Sequence, residues 1–171
     1  MRFCEETNMA DERIYPSIPT RILLPVDFSP SSDAALEMAA DLAQHFHAEL
    51  ILVNVLPFFP ASTLPDFVPE ESFLHEARAR SELRLNKAML SLSIRGVSAR
   101  FAIEVGNDVP GSIMEVIDRE HINMVVISTH GISGWHPLIF GSIAEKVIKL
   151  VQCPLLLLRS IKPDIDRKET V

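Results

Sequence analysis

The side chains best able to do chemistry in this chain gather in two stretches. The longer one, Ser128-Thr129-His130-Gly131-Ile132-Ser133-Gly134-Trp135-His136-Pro137-Leu138-Ile139-Phe140-Gly141-Ser142, mixes hydroxyls and imidazoles with glycines. Glycines let a backbone approach another group closely, and Ser142 opens an apolar helical pattern. A helix start carries N–H groups without an intrahelical acceptor, at the positive end of the helix dipole, so it can receive an anion. The run could therefore hold a phosphate through backbone N–H groups and the Ser142 hydroxyl. Ser142-Ile143-Ala144-Glu145 also has the form of a capping box, in which Ser and Glu serve the helix end without any ligand. The shorter stretch, Pro25-Val26-Asp27-Phe28-Ser29, places a carboxylate where a strand gives way to a helix. Asp27 can hydrogen-bond a ligand there or complement the helix dipole. His130 and His136 match no metal-binding spacing and have no carboxylate cluster beside them, so solvation in the loop or a backbone hydrogen bond accounts for them.

The elements that must position these stretches follow from the hydrophobic pattern. Residues 22–26 are a short apolar run, as in a strand buried on both faces. Ser29-Pro30 supplies an N-cap and a first-turn proline, and Ala35, Met38, Leu42 and Phe46 mark one face of the helix that follows. A second strand spans 50–55. Prolines 57, 60, 65 and 69 predict a loop. A helix with Leu74, Ala77, Ser81, Leu85, Ala88 and Leu92 inward comes next, with Gly96 at its C-cap. Val97, Ala99, Phe101, Ile103 and Val105 alternate with Ser98, Arg100, Ala102 and Glu104, which predicts one buried face, as at a sheet edge. A third helix from Asn107-Asp108 buries Val109, Ile113 and Val116, and residues 124–127 form a fourth strand. The helix from Ser142 runs through Ile143, Val147 and Leu150, Pro154 stops it, and 155–158 form a fifth strand. Alternating strands and helices predict one doubly wound α/β domain, a parallel sheet with helices on both faces. Ligands of such sheets sit beyond the carboxyl ends of the strands, where the winding reverses, and both stretches fall there.

Composition narrows the function. The 171 residues are 47% hydrophobic, enough for a sizeable core, and residues 1–18, 19–160 and 161–171 read as flexible leader, domain and charged tail. A net charge of −7 argues against a nucleic-acid partner, which needs clustered Lys and Arg. No apolar run approaches the roughly 18 residues of a membrane span. Cys4 and Cys153 suggest no disulfide framework, and a cytoplasmic protein with reduced thiols is expected. Cys153 is read as a small core residue, and His45 and His47 as capping or solvating a helix end.

Three segments together resemble the universal stress protein family over residues 19–160. Gly131, nine further residues and then Gly141-Ser142 resemble the nucleotide loop Gly-x2-Gly-x9-Gly-Ser/Thr of its ATP-binding members, with Ser128 in place of the first glycine. Arg21-Ile22-Leu23-Leu24-Pro25-Val26-Asp27 is similar to the opening strand and its adenosine-side aspartate, and Cys153-Pro154-Leu155-Leu156-Leu157-Leu158 to the terminal strand. The resemblance implies a five-stranded sheet of order 3-2-1-4-5. It implies ATP, ADP or AMP bound with Mg by Pro25, Val26, Asp27, Val53, Ser128, His130, Gly131, Gly141, Ser142 and Ile143. Val53 enters because the end of the second strand lies beside the adenine in the family. A homodimer through strand 155–159 and an unknown protein partner are also implied, in a stress-response sensor or regulator.

Where many family members carry Arg or Lys in the loop, this chain has Ile132 and Pro137. That departure supports a rival reading: an interaction protein without nucleotide, working through its dimer surface and the loop bearing Phe58, Phe59 and Phe67. Those phenylalanines could equally close over a nucleotide or form a satellite cluster under the loop. No Gly-x4-Gly-Lys-Ser/Thr loop, Gly-x-Gly-x-x-Gly fingerprint or Gly-x-Ser-x-Gly elbow is present. No designated catalytic base is visible, so slow ATP hydrolysis is the most that an enzymatic reading supports.

Overall fold

A computed structural model describes residues 18–58, 71–129 and 141–159. The leader up to residue 17 and the tail lie outside the described residues, as do His130, Gly131, Phe59 and Phe67. Five strands and four helices are described in strict alternation: β1 (Arg21–Pro25), α1 (Pro30–Phe46), β2 (Glu49–Pro57), α2 (Glu71–Ile94), β3 (Ala99–Gly106), α3 (Val109–Arg119), β4 (Met124–Ser128), α4 (Ser142–Leu150) and β5 (Leu155–Leu158). The sheet is parallel throughout, in the order β3-β2-β1-β4-β5, as expected. The chain winds outward from β1 to β3 and then returns to place β4 against the other side of β1, so the reversal lies between β1 and β4.

Period-two alternation sends successive side chains of each central strand to opposite faces. Ile22 and Leu24 of β1 join Leu50 and Leu52 of β2 in one cluster, beneath α1 and α2. Leu23, Ile51 and Val53 join a second, beneath α3 and α4. Helix α1 meets the sheet through Ser32, Ala35, Ala39, Ala40 and Ala43. This corrects the predicted face: Met38 is exposed, and Leu42 and Phe46 are half-buried at the margin, because the small residues sit directly on the sheet. In α3 the buried residues are Pro110, Ile113, Val116 and Ile117, while Val109 is only half-buried because it borders a cleft. In α4 Ala144 and Val147 are buried and Ile143 and Leu150 are exposed; Val151, just past the helix, packs on the second cluster instead.

The two sheet edges differ. Strand β3 was expected to bury one whole face, yet none of its residues is fully buried. Ala99, Phe101 and Ile103 pack on the first cluster and Ala102 on the second, but Val105 is exposed, since helices cover an edge strand incompletely. Charges flank this edge: Arg100 bonds Glu49 and Glu120, and Arg119 bonds Glu104 and Glu120. The hydrogen bonds from Arg100 and then Arg119 hold the Glu120 carboxyl below the usual glutamate range. Strand β5 carries four leucines, all half-buried: Leu156 and Leu158 lean on the first cluster, Leu155 and Leu157 on the second.

Candidate functional site

Where β1 ends, the backbone is held by its neighbours. Val26 N–H donates to the Val53 carbonyl at 2.8 Å, extending the β1–β2 pairing, and the Val26 carbonyl accepts from Asn54 Nδ2 at 2.7 Å. Ser81 of α2 donates its hydroxyl to Asn54 Oδ1 at 2.7 Å. Asn54 and Ser81 are both buried, so this chain of bonds satisfies polar groups that would otherwise be costly to bury. Asp27 Oδ1 accepts from the N–H of Ser29 at 3.0 Å and from its hydroxyl at 2.7 Å. The Ser29 hydroxyl in turn accepts from Ser32 N–H, which makes it the N-cap of α1 as its sequence position predicts. Between them, Phe28 adopts a left-handed backbone with φ 62°, an uncommon conformation for a bulky residue. The Arg84 guanidinium of α2 lies over the Phe28 ring, 5.0 Å from its centroid.

Across the reversal, Thr129 follows β4 and donates its N–H to the Leu158 carbonyl, while its own carbonyl accepts from Gly141 N–H at 2.8 Å. The chain thus leaves and re-enters the site at one point. Gly141 is the N-cap of α4 and its carbonyl accepts from Glu145 N–H. The predicted capping box therefore does not form. Ser142 is the first helical residue, makes no side-chain cap, and Glu145 bonds Lys149 instead, a contact that holds its carboxyl below the usual range. The backbone N–H groups of Ser142, Ile143 and Ala144, the helix's open donors, have no acceptor among the described residues. Gly141 has an ordinary φ of −57°, so it is not needed for backbone freedom; a side chain there would come within 3.3 Å of the Thr129 carbonyl. The close approach expected at this glycine is to the protein's own chain.

A cleft of about 870 Å³ joins the two regions over the carboxyl ends of the strands. Eight of the ten predicted residues line it: Pro25, Val26, Asp27, Val53, Ser128, Gly141, Ser142 and Ile143. His130 and Gly131 cannot be placed, lying outside the described residues. Asn54, Ser81 and Arg84 also line the cleft and were missed. The signal for Asn54 was a lone amide inside an otherwise apolar strand, and for Ser81 a lone hydroxyl on an apolar helix face. Nothing in the sequence alone marked Arg84. Among the described residues no group of His, Cys, Asp and Glu is placed to hold a metal ion. Cys153 is half-buried beside the second cluster, and burial raises its thiol above the ordinary range, the reverse of a reactive thiolate. His47 is the left-handed C-cap of α1.

The class defined so far is a doubly wound α/β domain with an apolar-floored cleft at its switch point and open backbone donors on one wall. The sequence profile of the Universal stress protein family matches residues 19–159, and the chain belongs to that family. A universal stress protein of Methanocaldococcus jannaschii is 28% identical over 145 residues, 84% of each chain. A solved family structure from Burkholderia pseudomallei is 26% identical with a TM-score of 0.68, covering 85% of this chain and 99% of that one. The family protein of Archaeoglobus fulgidus solved in complex with dAMP is 21% identical with a TM-score of 0.59, covering 81% and 96%, a likeness of fold. No helix among the described residues is long and apolar enough to cross a membrane.

Proposed function

We propose that the cleft binds an adenine nucleotide, ATP or its ADP or AMP forms, and that occupancy alters partner contacts in a cytoplasmic stress-response sensor or regulator. The observation that carries this reading is the cleft's division into two kinds of surface. At one end Asp27 and Val53 offer a carboxylate and an apolar wall suited to the nucleoside. At the other, three N–H groups without an acceptor among the described residues and the Ser142 hydroxyl at the start of α4 suit phosphate. That a protein with this fold has been solved in complex with dAMP supports an adenine nucleotide as the class of ligand. Mg would enter on the phosphates, the usual way this ion is carried, since the described residues offer it no carboxylate cluster. Calorimetry with ATP, ADP and AMP in magnesium should show saturable heat, and nucleotide should leave the purified protein on heating. Absence of heat at millimolar ligand would sink the reading.

The rival, an interaction protein without nucleotide, draws on Ile132 and Pro137 and on the β5 edge. Four leucines half-covered within one chain, on a strand whose outer backbone groups are unpaired by the sheet, favour a homodimer through residues 155–159 whichever reading holds. Sedimentation at micromolar concentration should give twice the 19.1 kDa chain mass, and Leu156→Pro should shift the population towards monomer. A 19.1 kDa species for the unmodified protein would exclude the dimer.

A further inference from the structure

A second cavity, of about 310 Å³, lies between α1 and α2 over the first core cluster. Its apolar lining is Val26, Phe28, Leu36, Leu52, Leu85 and Ala88. Ser32 also lines it, only 3% exposed. Three charged residues line it as well: Asp33 from α1, Arg84 and Lys87 from α2.

Two cations border this cavity. Arg21, Arg78, Arg80, Arg95, Arg100, Arg119 and Lys149 all have an acidic partner within 4.0 Å. Arg84 and Lys87, like Lys146 and Arg159 elsewhere on the surface, have none among the described residues, and of these four only Arg84 and Lys87 line this cavity. They stand three residues apart on one helix, where like charges repel. Arg84 spends the face of its guanidinium on Phe28, which leaves its in-plane N–H donors for an anion. Asp33 lies in the first turn of α1, where the helix dipole already favours its charge. The lining thus has a net charge of one positive unit around an apolar floor.

We infer that this cavity is a binding site for a small organic carboxylate with an apolar tail, its head between Arg84 and Lys87 and its tail on Leu36, Leu52, Leu85 and Ala88. The volume falls at the bottom of the range of about 300–1,000 Å³ for small-molecule sites, too small for a nucleotide alongside its metal. Val26, Phe28 and Arg84 line both spaces, but Lys87, Leu36 and Ala88 line only this one, so effects at those three residues separate the inference from nucleotide binding.

The test is titration of the isotope-labelled full chain with butyrate, hexanoate and octanoate, followed through backbone amide NMR shifts, with hexylammonium and hexanol as controls. Saturable shifts should centre on Leu36, Lys87 and Ala88, and affinity should rise about threefold to fourfold per methylene until the tail outgrows the cavity. Lys87→Gln, an exposed change that leaves the core intact, should weaken hexanoate by about fivefold and leave hexanol unaffected. Ala88→Phe, in a variant that keeps the unmodified protein's amide spectrum elsewhere, should abolish binding by filling the space. Hexylammonium or hexanol binding as tightly as hexanoate, undiminished hexanoate binding in Lys87→Gln, or no saturable shift at tens of millimolar would each overturn the inference.

Discussion

The two ends of the large cleft are built on opposite plans. At the β1 end the polar groups are tied into the protein: Val26 to Val53 and Asn54, Asn54 to Ser81, Asp27 to Ser29. At the α4 end three backbone N–H groups have no acceptor among the described residues. A surface whose hydrogen bonds are already made recognises by shape and by the few atoms it still presents. A surface with open donors attracts charge of one sign and tolerates variety in what carries it.

Breaking the β1 end should have the largest effect. Asn54→Leu leaves the Val26 carbonyl and the Ser81 hydroxyl buried without partners and should cost about 2–4 kcal/mol in urea unfolding. A loss under about 1 kcal/mol would mean that water takes over both bonds. Gly141→Val acts on the α4 end alone: crowding the Thr129 carbonyl displaces the helix start, so ATP should weaken by about tenfold or more and adenosine by less than twofold. Equal losses in a folded variant would assign this glycine to chain packing only. Asp27→Asn keeps an acceptor for Ser29 and removes the charge; ATP and adenosine should weaken together, by about fivefold. A loss confined to ATP would place Asp27 at the wrong end. Ser142→Ala is the finest probe. With Gly141 as the cap, stability should change by less than about 0.5 kcal/mol while ATP weakens about threefold. A stability loss near 1 kcal/mol would restore the capping role that the geometry withholds.

Much of this was legible in residue order. The apolar runs of β1, β2 and β4 and the Ser29-Pro30 start of α1 announce themselves because burial on both faces and a proline-bearing cap leave few alternatives. What stayed hidden depended on distance in space. Ser142 and Glu145 satisfy the capping pattern on paper, yet the bond between Gly141 and Thr129 sets the cap one residue earlier. Met38 carries the helical period, but the flat sheet takes alanines where a larger side chain would hold the helix off. Arg84 had no visible task until folding set it against Phe28, fifty-six positions earlier in the chain.

The bond between Ser81 and Asn54 has a consequence beyond the cleft. Helix α2 is not cleanly two-sided: Leu85 and Leu92 face the core, but Leu83, Leu90 and Ile94 stand exposed at 74%, 64% and 79%. By oil-and-water sorting alone, a helix rolled about its axis to bury the outer leucines would compete with the native one. Rolling would leave Asn54 Oδ1 without its donor beneath the helix, a penalty that greasy contacts on the new face do not relieve. One hydroxyl thus acts as a key in a slot, choosing among orientations that hydrophobicity leaves nearly equal, and it fixes which of α2's arginines look into the cleft.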